Sequence, residues 1–133
     1  MMGPLILAYN LDALAEARLQ TLCARLRVRC RAVCADEYSL PLGTLAGIPA
    51  AGSTGDASAG SIDEPMLVMC FMLNDTLNAV LQGLRAKGMP RIPLKAVLTP
   101  TNVAWNSLQL YEELCREREA MRGGGAAHTP GGN

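Results

Sequence analysis

The residues best placed to do chemistry are Lys95, Thr99, Thr101, Asn102 and Trp105. A cation, two hydroxyls, a carboxamide and an aromatic plate stand in one short stretch. The stretch straddles the point where an apolar strand should give way to a helix. Helix N-termini leave backbone N–H groups unpaired and carry partial positive charge. Ligands of open α/β sheets favour the carboxyl ends of strands. This set could therefore bind an anion or a planar ring. A purely structural reading is equally concrete. Thr101 or Asn102 caps the helix, Pro100 sets the turn and Trp105 packs on the core. Lys95 then lays its stem over apolar surface.

Other familiar constellations are missing from the sequence. There is no G-x-G-x-x-G after the first strand and no G-x-x-x-x-G-K-[ST] to cradle phosphate. No G-x-S-x-G elbow occurs. The one histidine, His128, sits near the Gly-rich C-terminal end, which disfavours a Ser–His or Cys–His pair. Glu112, Glu113, Glu117 and Glu119 read as the solvated face of a helix. The five cysteines are Cys23, Cys30, Cys34, Cys70 and Cys115, with no Cys-x-x-Cys among them. Cys30 and Cys34 on one strand would lie about 13 Å apart, too far for a disulfide. They read as small buried hydrophobes in a reducing compartment. The expectation is no catalytic set, no metal site and no cofactor.

Twelve basic residues balance twelve acidic ones. No net field draws the chain to nucleic acid or to an anionic membrane. Arg25, Arg27, Arg29 and Arg31 alternate as if on one face of an edge strand, guarding it from aggregation. The longest apolar run, Met66–Leu73, is far too short to span a bilayer. Met1–Leu14 lacks the basic start of a secretory signal. The expected location is the cytoplasm.

The elements that must position the candidate residues follow from periodicity. L-I-L-A-Y at 5–9 is a buried strand. Asn10 or Asp12 can cap a helix whose stripe is Leu14, Ala15, Arg18, Leu22, Cys23 and Leu26. Val28–Val33 alternates as an edge strand does. A short helix after Ser39, with Pro41 in its first turn, is plausible. Residues 47–63 read as a flexible insert. Met66–Met72 is apolar on both faces and belongs at the centre of a sheet. Asn74 or Asp75 caps a second long helix, which Gly88 ends. Ile92–Thr99 is a fourth strand, at an edge because of Pro93. Thr101, Asn102 or Ser107 caps the last helix. Residues 1–122 make one α/β domain, and 123–133 should be a disordered tail.

This alternation predicts a four-stranded, mainly parallel sheet of order 2-1-3-4 flanked by helices. The alternative is a ferredoxin-like α+β sheet of order 4-1-3-2 with an extra C-terminal helix. It has the same central strands.

M-L-V-M-C-F, a helix, R-I-P-L-K-A-V-L-T-P-T-N-V-A-W and a Glu-rich helix together resemble the bacterial family catalogued as domain of unknown function 3783 (DUF3783). The likeness takes in residues 5–47 and 65–121. Its most specific part is Leu94–Thr99 with Asn102 and Trp105. Members often carry Gly-Phe after the third strand, where Cys70-Phe71 stands here. The resemblance implies a bacterial cytosolic protein and brings no catalytic residues. The expected function is a non-catalytic binding or regulatory module, acting through an unknown protein partner or self-association. The alternative is an anionic-ligand sensor or small enzyme using the turn after strand four. A nucleic-acid partner ranks last.

Overall fold

The computed structural model describes residues 3–48, 61–89 and 91–127. Two apolar runs supply the centre of a four-stranded sheet. They are β1 (Leu5–Tyr9) and β3 (Met66–Cys70), buried at every position. Neither holds a charged residue, so both can be covered on both faces. The edges are β2 (Arg29–Ala32) and β4 (Leu94–Val97), each partly exposed. The order is β2-β1-β3-β4, as the alternation of strands and helices predicts.

The sheet is mainly parallel, as expected. β1 pairs parallel with β2, and β3 with β4, but the central pair β1–β3 is antiparallel. Each strand–helix–strand crossover keeps its own strands parallel, as such connections must. The chain then re-enters the sheet from the opposite end. A strand buried on both faces looks the same in sequence whichever way it runs.

Four helices cover the sheet. α1 (Ala13–Leu26) and α3 (Asn74–Leu84) lie on one face, over Ile6, Ala8, Leu67 and Met69. α2 (Leu42–Leu45) and α4 (Ser107–Ala127) lie on the other, over Leu5, Leu7, Tyr9, Met66 and Val68. The expected helix starts are only partly right. Asp12 caps α1, accepting from the Ala15 N–H at 2.8 Å. Pro41 is the N-cap of α2 and not in its first turn. The N-cap of α3 is Leu73, not Asn74 or Asp75, and no side chain caps it. Asn106 caps α4 through a reciprocal pair. The Gln109 N–H donates to Asn106 Oδ1, and the Asn106 N–H to Gln109 Oε1, both at 2.8 Å. This is the capping-box geometry with Asn in place of Ser or Thr.

The four arginines do not share a strand face. Arg25 is in the last turn of α1 and Arg27 is its C-cap, so only Arg29 and Arg31 stand on β2. Arg31 donates to the Leu45 carbonyl and pairs with Glu37. α4 continues through Ala127, past the point where the domain was expected to end. Ile62, expected within the insert, is buried in the core. Residues 49–60 of that insert and 128–133 of the tail lie outside the described residues. Among the described residues, no helix is long and apolar enough to cross a membrane.

Candidate functional site

The turn that follows β4 brings the five sequence-marked residues together. Lys95, Thr99, Thr101, Asn102 and Trp105 all line one open hollow of about 290 Å³. Their polar groups are largely engaged, however. The buried Asn102 accepts from the Thr99 N–H at 2.9 Å through Oδ1 and donates to the Val97 carbonyl at 3.0 Å through Nδ2. Its own N–H donates to Thr99 Oγ1 at 3.1 Å. Asn102 therefore ties a corner between strand and helix, and does not cap the helix. Lys95 Nζ donates to the Ile92 carbonyl at 2.7 Å. Trp105 is half-buried against the core, and its carbonyl accepts from the Leu42 N–H at 2.8 Å. Thr101 is exposed. Glu113 and Glu117 share the hollow and place negative charge opposite any anion.

A second concavity adjoins this corner, and sequence reading missed it. It is a groove of about 580 Å³ at the carboxyl ends of β3 and β4, lined by Phe71, Met72, Leu73, Val97, Pro100 and Val103 among others. Thr99 alone among its lining residues has a polar side chain. Leu73 is 81% exposed and Val97 41%. The sequence signal was the run Met66–Leu73, whose last three residues outlast the strand that needs them.

Two of the groove residues occupy positions that disfavour them. Phe71 has a φ of 60°, the left-handed region that a bulky side chain rarely enters. Leu73 is an N-cap, a place where Asp, Asn, Ser and Thr satisfy helix N–H groups and Leu does not. The first half of the chain takes the same path from β1 into α1 with suitable residues. Asn10, at a φ of 61°, tolerates the left-handed region, and Asp12 caps the helix.

Among the described residues, no group of three His, Cys, Asp or Glu side chains could hold a metal. All five cysteines are free. Cys23 and Cys70 are buried as expected, whereas Cys34 is exposed. Burial pushes the Cys70 thiol up to about 12 and Tyr9 well above the usual phenol range.

Residues 65–121 match the model of a family described as Domain of unknown function (DUF3783). This segment is similar to the DUF3783 family. The DUF3783 match begins one residue before β3 and ends within α4, so it contains both the corner and the groove. Residues 5–47, which looked similar in sequence, lie outside it. No curated protein and no solved structure matches the chain.

Proposed function

We propose that the protein is a non-catalytic binding module, and that its DUF3783 segment holds an apolar segment of a protein partner in the groove between β3 and β4. The observation that carries this reading is Leu73, an exposed leucine at a helix cap. The residue forgoes about 0.5–2 kcal/mol of capping stabilisation and leaves an apolar side chain in water. Phe71, in its left-handed conformation, adds a second local cost beside it. Unfavourable local choices that converge on one surface are the mark of a surface kept for binding. The groove offers no charged side chain, which favours an apolar occupant over a small anion. The free thiols fit a reducing, cytoplasmic setting. The family resemblance points to a bacterial source, and the balanced charge disfavours nucleic acid as the partner.

A second reading, an anionic-ligand sensor, is favoured by the convergence of Lys95, Thr99, Thr101, Asn102 and Trp105 on one hollow. The engaged Asn102 amide and the two glutamates weigh against it.

The test is a titration with the apolar fluorophore anilinonaphthalene sulfonate. The folded wild-type protein should bind it, and Leu73→Asp should weaken binding at least about 5-fold with no loss of melting temperature. Equal binding by the two proteins would contradict the reading.

A further inference from the structure

The two halves of the chain repeat one backbone path, down to single residues. Asn10 and Phe71, each just after a central strand, share a left-handed φ and are 61 positions apart (71 − 10). Arg27 and Gly88, each beyond the following helix, share positive φ at the same interval (88 − 27). The helix N-caps Asp12 and Leu73 keep it too. A few extra residues then precede β4, since Leu5 pairs with Arg29 but Met66 pairs with Leu94. Beyond them a second constant interval of 65 positions holds. The Cys34 N–H donates to Glu37 Oε1 at 3.1 Å, and the Thr99 N–H to Asn102 Oδ1 at 2.9 Å. Glu37 and Asn102 are thus the same corner residue in two copies (102 − 37).

The halves also meet as a two-fold pair would. In an isologous interface the residues on the axis touch their own counterparts. Three such contacts occur here. The antiparallel pairing of β1 with β3 is centred on Leu7 and Val68, which are equivalent (68 − 7). On one side of the sheet Pro41 bridges Asn106, again equivalent (106 − 41). On the other side α1 meets α3 at Leu22 and Gly83, equivalent as well (83 − 22). A Cβ placed on Gly83 would stand 2.5 Å from Leu22 Cδ1. Two leucines would collide there and two glycines would leave a void. One of each fits, which two identical copies could not supply and a fused pair can.

We infer that the chain is a fused pair: residues 5–46 and 66–111 are two copies of one strand–helix–strand–helix unit, and the face of the DUF3783 unit formed by β3, α3 and Asn106 is an interface for a second such unit, supplied here in cis. The DUF3783 match covers one unit, which agrees with this division. No residue that lines the groove belongs to β3, α3 or Asn106, so this inference stands whether or not the groove binds.

The test exchanges the axial residues within the full chain. Leu22→Gly and Gly83→Leu should each lower the melting temperature by roughly 10 °C, the first through a cavity and the second through overpacking. The double variant Leu22→Gly/Gly83→Leu rebuilds the contact with its sides reversed. About a two-fold symmetric environment it should recover at least half of the larger single loss. Smaller recovery, or additive losses, overturns the inference. If neither single variant folds, a folded monomeric double variant supports it and an unfolded one overturns it.

Discussion

The hydroxyl of Tyr9 lies 2.7 Å from Ser107 Oγ, both residues fully buried, and links the first strand to the start of the last helix. Removing either partner leaves the other hydroxyl without its bond in the core. Tyr9→Phe and Ser107→Ala should each cost about 1–3 kcal/mol. The double variant should cost clearly less than the two together, because the second change removes a group already orphaned. Urea midpoints at constant slope measure this. Additive losses would mean that the bond contributes nothing beyond its parts.

Leu73→Asp should stabilise the fold, by about 0.5–2 kcal/mol. Asp at an N-cap accepts from the first-turn N–H groups, as Asp12 does in α1. The leucine it replaces is mostly exposed, so little packing is lost. Thermal unfolding reads the outcome. A lower melting temperature would show that Leu73 packs in the native state and is not held for binding.

Much of the fold was legible because it rests on local pattern. Two strands without a charged residue had to be central, and two strands bearing Arg or Lys had to be edges. The mainly parallel pairing followed from the alternation of strands and helices, but the one antiparallel pair, β1 with β3, was not legible, because Met66–Cys70 reads equally well in either sense. The helix caps show the same limit. Asp12 follows the rule for caps, whereas Leu73 breaks it, and only its neighbours in space explain why. Lys95, Thr99, Thr101, Asn102 and Trp105 were found as a cluster because they adjoin in the chain. That Asn102 is occupied on both sides of its amide needed the positions of Val97 and Thr99.

Asn102→Ala should destabilise through the loss of two part-buried bonds, by about 1–3 kcal/mol. Asn106→Ala, the true cap of α4, should cost about 1 kcal/mol. A screen of small anionic metabolites should leave the Trp105 fluorescence and the melting temperature unmoved. A metabolite that shifts both in the wild type but neither in Asn102→Ala would establish the sensor reading instead.

Stability should fall in alkali. The Cys70 thiol loses its proton near 9.0 when unfolded and near 12 when folded, because burial penalises the thiolate. Between those values the native state binds more protons than the unfolded state, so stability declines as pH rises. Below pH 9 the contribution is complete. Burial acts on Tyr9 in the same direction. The urea midpoint should be level from pH 7 to about 9 and then drop, with a shallower drop in Cys70→Ala. A midpoint independent of pH up to 11 would contradict this.

The binding claim is tested most directly by mapping amide chemical shifts while the full chain is titrated with anilinonaphthalene sulfonate. Binding in the apolar groove predicts that the largest changes fall on Phe71, Met72 and Leu73 and on Val97–Val103, with Asn10–Asp12 unmoved. Changes centred on Lys95, Thr101 and Trp105, or none near Leu73, would contradict it.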